Sequence, residues 1–331
     1  MNVKFHILII ASLLLFGCTK SEVVDSKFEK EAIGFENYLG RDAQTKGGVA
    51  SVASIANGGG IGVYGFYTGT SAWAANATAN LLQNEHLTST DDGANWTYTN
   101  TAYWTNEKDQ YTFFAYAPFG KATASQPTGQ NPQIVYNLPS SVGDQVDLVY
   151  SNENKNIKKR DYVALTFNHA LARLSVKADA VEYDNLTFNI TNISISGAFN
   201  TVGTFDLATG EWISKTTPAT APYDLTGTVD QLLTATTYDF SETAGNYMMM
   251  IPTTFSSTTP ATLTVKYYVT YENAKSAEIE KTVSITTDFQ QGKAYTINLT
   301  LQRDPNNAIK FSVNEVPGWP GATGTDVNIN A

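Results

Sequence analysis

The sequence predicts an all-β chain built as sandwiches or barrels. Apolar and polar residues alternate with a period of two in many short runs, the mark of half-buried strands. Threonine, valine, isoleucine, tyrosine and phenylalanine dominate those runs, as a pleated surface favours. Polar turns separate them, which suits sandwiches and barrels. A length of 331 residues favours about two domains.

The first strand is expected at Ile33, Phe35 and Tyr38. Residues 61–67 form a second, aromatic strand entered through glycines. Trp96 and Tyr98 lead to Tyr103 and Trp104 as a third region, and residues 111–116 form a fourth strand that ends before Pro118. Residues 147–150 and 162–167 follow. In residues 186–195 the apolar positions change from even to odd near Asn192, which predicts a β-bulge or bend. Further strands are expected at 247–251, 261–271, 281–285 and 294–301. Residues 72–83 hold alanines and leucines and are the one helical candidate, although their asparagines oppose it. Residues 153–161 carry Lys155, Lys158, Lys159 and Arg160. They are expected to form an interdomain loop, with a solvated hairpin tip as the alternative.

The formal charge is −10. That opposes nucleic-acid binding, which needs lysines and arginines to neutralise phosphates, and a polybasic membrane patch. The single cysteine, Cys18, precludes an intrachain disulfide. It closes a short apolar run that Lys4 precedes, too short to span a bilayer and suited to a secretory signal. Gly17 just before Cys18, with Leu15 upstream, is similar to a bacterial lipobox. The expectation is removal of residues 1–17 and lipidation of Cys18, giving an outer-membrane lipoprotein at the cell surface. Several acyl chains anchor stably because each buried methylene contributes about 0.8 kcal/mol.

No enzyme chemistry is legible. His86 and His169 lack metal-ligand spacing, no nucleophile elbow marks a serine, and neither metal nor cofactor is expected. His169 sits among apolar residues and reads as structural. Residues 60–65 match G-x-G-x-x-G, but the glycines run into a strand rather than a helix, so they read as a turn and not a dinucleotide site. Asp91 and Asp92 offer oxygen to calcium yet lack the spacing of an EF-hand loop and read as an aspartate-glycine turn. Trp96, Tyr98, Tyr103 and Trp104 suit a sugar platform or, more ordinarily, sheet packing.

Several segments together resemble the fimbrillin family of Bacteroidetes, the type V pilins with their Mfa-like relatives. They are Ile33-Gly34-Phe35 followed by Lys46, the aromatic strand at 62–67, and Tyr103-Trp104 followed by residues 111–118. The most specific is 163–174, and residues 309–313 followed by Val316-Pro317-Gly318-Trp319 complete the set. The resemblance implies two tandem transthyretin-like β-sandwich domains: a signal peptide at 1–17, a tether with a removable first strand at 18–46, then sandwiches at 47–166 and 167–331. It also implies a fimbrial subunit whose first strand a trypsin-like protease removes after a basic residue. Arg41 and Lys46 are the candidates. The groove so opened takes a strand from another pilin subunit, by backbone hydrogen bonds and alternate side-chain pockets. Donor candidates are Ile309, Phe311 and Val313, or Val327 and Ile329. The alternative within the same fold is a tip adhesin, an anchor or a free lipoprotein that binds a glycan or host protein.

Overall fold

The computed structural model of the protein describes residues 30–39, 52–216, 222–241, 247–303, 309–315 and 326–327. The first half contributes β1 (Gly34–Leu39), α1 (Val52–Asn57), β2 (Ile61–Gly69), β3 (Leu82–Leu87), β4 (Gln110–Ala117), β5 (Thr123–Ser125), β6 (Gln133–Asn137), β7 (Val149–Ile157) and β8 (Tyr162–His169). The second begins with β9 (Ala172–Ala180), β10 (Leu186–Ser196), β11 (Val202–Asp206) and β12 (Glu211–Thr216). Five short strands follow: β13 (Tyr223–Asp224), β14 (Gln231–Leu233), β15 (Tyr238–Asp239), β16 (Met248–Met250) and β17 (Thr253–Thr254). Then come β18 (Ala261–Tyr271), β19 (Ala274–Lys275), β20 (Ile279–Ile285), β21 (Asp288–Phe289), β22 (Ala294–Leu301), β23 (Ile309–Glu315) and β24 (Asp326–Val327). The all-β sandwich expectation holds.

The central element is a six-stranded sheet of order β1-β8-β7-β4-β2-β3. Its strand β4 is buried on both faces, which is why it reads as a near-continuous aromatic run rather than a clean alternation. Tyr111, Phe113 and Ala115 enter one core together with Ile61, Val63, Val163 and Phe167. Phe114 and Tyr116 enter the other with Tyr64 and Phe66. There they meet Ile134, Tyr136 and Phe205 from the second sheet, of order β12-β11-β6-β5. Phe66 and Phe114 pack edge to face at 5.7 Å, the geometry that aromatic quadrupoles prefer.

This second sheet crosses the expected division at 166/167. Strand β11 pairs with β6 across Val202↔Asn137 to Asp206↔Gln133, so a hairpin from the second half completes a sheet of the first. Strand β8 also spans the division. The indole Nε1–H of Trp212 donates to the Ala170 carbonyl at 2.8 Å, which ties the hairpin to the link between β8 and β9.

In the second half, β9 pairs parallel with β22, and β22 antiparallel with β23. The facing sheet is built on β10 and β18. Val176, Ile190, Ile193, Val265, Ile297 and Leu299 are all buried between these sheets. The β10–β18 register shifts between Ile190 and Asn192, where the change of apolar phase predicts a bulge.

Three local expectations are corrected. Residues 153–161 are not an interdomain loop. Strand β7 runs on to Ile157 and turns through four residues into β8, so the charges ride on a hairpin. Lys155 is tied down there: its ammonium donates to the Ala208 carbonyl at 2.8 Å. The helical candidate at 72–83 holds turns and the start of β3, whereas the short helix is α1. Trp96 and Tyr98 form no named strand; a single bridge joins Thr88 to Thr97. In each case pairing partners distant in sequence decided the outcome over local composition.

The G-x-G-x-x-G segment enters β2 directly, as the strand reading requires. Gly60 has φ +85, and a Cβ there would lie 2.2 Å from the Leu87 carbonyl oxygen. A Cβ on Gly62 would lie 2.3 Å from the Tyr116 ring. Both positions need glycine for close packing, independent of any ligand.

Candidate functional site

The first strand lies at the edge of the central sheet and pairs with β8 alone among named strands. The pairing is parallel, from Gly34↔Tyr162 to Leu39↔Phe167. Its other flank is held by residues 98–104, which are not a regular strand. The Ile33 N–H donates to the Ala102 carbonyl at 2.9 Å, and the Trp104 N–H donates to the Glu31 carbonyl at 2.9 Å. The Tyr98 hydroxyl donates to the Ile33 carbonyl at 2.8 Å. Burial pushes the Tyr98 phenol above its ordinary pKa, which keeps it a neutral donor. At the entrance, Lys159 Nζ and Glu31 Oε2 pair at 2.8 Å.

Ile33 and Phe35 are 1% and 4% exposed. Phe35 packs edge to face on Phe113 at 5.5 Å and on Tyr98 at 5.6 Å. Burial of two such side chains contributes roughly 1.5–3 kcal/mol each. Among the described residues, the core they enter draws only on those from Ile33 to Phe167. This segment therefore acts as a plug in a groove floored by the central sheet.

The wall at 98–104 is itself braced. Glu85 accepts hydrogen bonds from the Thr99 N–H at 3.1 Å, the Asn100 N–H at 3.0 Å and the Asn100 side chain at 2.7 Å. Burial disfavours the Glu85 carboxylate, but these donors outweigh it and hold its pKa below the ordinary value.

The aromatic candidates do not form one platform. Trp104 is buried and packs against Tyr111 at 4.7 Å, Trp96 and Tyr98 are half-buried around the plug, and Tyr103 alone of the four is exposed. Sequence reasoning missed Glu85, Ala102 and Lys159 as plug holders. No local signal marks them, because Lys159 and its partner Glu31 are far apart along the chain.

At the other end, Ile309, Phe311 and Val313 belong to β23, which pairs with β22 through seven register positions from Leu301↔Ile309 to Tyr295↔Glu315. Val313 is buried, and Ile309 and Phe311 pack against the same core. Strand β24 pairs with β23 only through Val313↔Val327 and Asn314↔Asp326. Cys18, Arg41, Lys46 and Ile329 lie outside the described residues.

The remaining polar candidates serve structure. His169 Nδ1 lies 2.8 Å from Asp147 Oδ2, both deeply buried where β8 ends. Asp91 accepts from the Ser89 hydroxyl at 2.7 Å and the Asn95 side chain at 2.6 Å. Those donors lower its pKa to about 2. Asp92 accepts from Asn57 at 3.0 Å. Among the described residues, no group of three or more His, Cys, Asp or Glu could hold a metal ion, and no helix is long and apolar enough to cross a membrane.

Comparison with known proteins bears on the whole chain. A fimbrium subunit, Fim1C of Phocaeicola vulgatus, is 26% identical over an alignment covering 99% of this chain and all of that protein. The fold is similar to that of a fimbrial protein from Bacteroides vulgatus, with a TM-score of 0.69 and 19% identity, covering 86% of this chain and 98% of that one. A second solved structure, from Bacteroides uniformis, shares the fold at a TM-score of 0.51 and 16% identity, covering 86% and 97%. The model of the fimbrillin-like family matches residues 49–319, most of the sequence, and the protein belongs to that family.

Proposed function

We propose that this protein is a structural subunit of a surface fimbrium that assembles by exchanging its first strand for a segment of another subunit. The observation that carries this reading is the plug. Residues 31–39 occupy an edge position, and Ile33 and Phe35 fill a core that, among the described residues, none beyond Phe167 enters. Loss of such a strand uncovers apolar pockets and ladder groups without unpacking the second half. Each buried backbone group left unsatisfied costs about 1–3 kcal/mol, so an incoming strand is strongly favoured. The wider reading includes lipidation at Cys18, export to the outer membrane and cleavage after Arg41 or Lys46 by a trypsin-like protease. Other subunits are the partners, and no catalytic role is assigned.

The two donor candidates differ in what their release costs. Withdrawal of Ile309, Phe311 and Val313 breaks seven register pairs and exposes core side chains. Withdrawal of the segment around Val327 breaks two among the described residues. The tail containing Val327 and Ile329 is therefore the favoured donor. Trypsin treatment of purified precursor, followed by size analysis, tests the scheme. Cut protein should form oligomers and uncut protein should stay monomeric. Val327→Asp with Ile329→Asp should abolish assembly while cleavage proceeds. Cut protein that never assembles, with filaments lacking it, would replace this reading with an anchor or adhesin.

A further inference from the structure

Two exposed surfaces remain outside the pockets that the plug and the tail fill, one of them beside the plug. Six large apolar side chains stand exposed among the described residues: Tyr103, Tyr162, Val181, Ile213, Leu232 and Tyr271. All but Ile213 fall into two groups, and exposed apolar clusters of this kind mark contacts.

The first group surrounds the β7–β8 hairpin tip. Tyr162 begins β8, and Tyr103 bridges to Ala32 beside Glu31, the partner of Lys159. The tip carries Lys158, Lys159 and Arg160 in succession, of which Lys158 and Arg160 are exposed. Glu107 and Asp161 are its nearby acids, both acting on Lys159.

The second group rims a cleft of about 320 Å³ at the far end of β9 and the start of β10. Val181, Leu186, Phe188 and Leu232 form its apolar lining, and Glu182 and Asp184 supply carboxylates. Tyr271 lies opposite Leu186 in register, with Glu272 beside it donating its N–H to the Asn185 carbonyl. Two cations lie near it: the Arg303 backbone N–H donates to the Tyr183 hydroxyl oxygen, and Lys275, opposite Thr270 in register, sits over the Tyr268 ring at 3.4 Å. A volume near the lower limit for small-molecule pockets suits one or two protein side chains.

The two surfaces are topologically far apart. The tip is where β8 begins, the cleft is where β9 ends, and Ala170 and Leu171 join those strands at their other ends. One is aromatic and basic, the other apolar and acidic. From this complementarity we infer that the Lys158–Tyr162 tip of one copy docks, Tyr162 first, into the Glu182/Asp184 cleft of a second copy of this chain. Aromatic and arginine side chains are the ones enriched at such contacts, and paired opposite charges set register and orientation. This deepens the fimbrial reading by naming a contact between copies, and it is independent of strand exchange.

Carbodiimide coupling of uncut protein tests it, because that reagent joins a lysine to a touching carboxylate. With the plug in place, strand exchange cannot contribute, and the contact between uncut copies is a transient encounter that coupling captures while size analysis still reads monomer. An equal mixture of ¹⁴N- and ¹⁵N-labelled protein should give mixed-isotope Lys158–Glu182 or Lys158–Asp184 peptides by mass spectrometry. The double variant Lys158→Glu, Arg160→Glu would remove that lysine, so the remaining coupling is read as total intermolecular yield. It should fall on the order of tenfold, since like charges at a contact repel. The double variant Glu182→Lys, Asp184→Lys should lose coupling equally, and a mixture of the two reversed proteins should regain it. All four positions are exposed, and unchanged unfolding curves will verify the fold. Yield that survives either reversal, or no rescue on mixing, overturns the proposal. Failure of cut protein to assemble while these cross-links persist would sink strand exchange alone.

Discussion

The two cores of this molecule differ in whom they serve. One lies against a single face of the central sheet and, among the described residues, contains only those from Ile33 to Phe167. The other runs from Tyr64 to Val313 and unites both halves. Strand β4 is their common wall, giving Phe113 to the first and Phe114 to the second. The edge strand β1 enters the private core through Phe35. Under the proposed exchange, a strand placed there leaves and is replaced while the shared core stays packed. Strand β23, anchored in the shared core through Val313, has no such freedom. The difference assigns removability by location rather than by strand strength.

The largest effects should come from emptying each core in turn. Phe35→Ala and Phe205→Ala each remove a buried ring and should cost about 3–5 kcal/mol in the uncut protein. Urea unfolding of the cleaved, assembled form should separate them. Phe35 has left with the plug, so its substitution should have no effect there, whereas Phe205→Ala should weaken both forms. Equal losses in both forms for Phe35→Ala would show that the first strand is retained.

A smaller loss is expected from Tyr98→Phe, which removes the hydrogen bond to the Ile33 carbonyl. About 0.5–1.5 kcal/mol is at stake. Hydrogen exchange should locate the loosening at residues 31–39 and leave the β9–β22 ladder unchanged. Exchange rising uniformly would mean that the private core is not separable.

Lys159→Met breaks the pair with Glu31, whose side chains are 24% and 47% exposed. Screening limits such a pair to roughly 0.2–1 kcal/mol. The measurable sign is a slightly faster trypsin cut between the plug and α1 in the variant, a difference that should vanish at high salt, where screening weakens the wild-type pair.

Glu85 should lose its contribution only in acid. Its folded pKa lies below the ordinary 4.5. Its contribution is therefore complete above that ordinary value and is lost as pH falls through the depressed folded one. Below pH 4.5, exchange at residues 99–102 and 31–35 should rise together in wild type, and Glu85→Gln should flatten that dependence. A wild-type profile that matches the variant would remove Glu85 from the brace.

Much of this architecture is readable along the chain, because period-two alternation is a local consequence of the pleat. The aromatic strands β2 and β4, the glycine entry at Gly60 and the bulge after Ile190 all follow from short stretches of sequence. So does the structural reading of His169, whose apolar neighbours forecast its burial beside Asp147. Tertiary structure alone decided which strands share a sheet. The β11–β12 hairpin joins β6 across the midpoint, and the charges at 153–161 ride on a hairpin instead of a linker. Ala102, Tyr98 and Lys159 converge on a strand that precedes them by more than sixty residues in each case. Local periodicity specifies which face of a strand is apolar and carries no information about the partner that covers it. That partner is chosen when distant segments compete to bury the same surface, and the winning pairing depends on register and on loops closed over the whole chain.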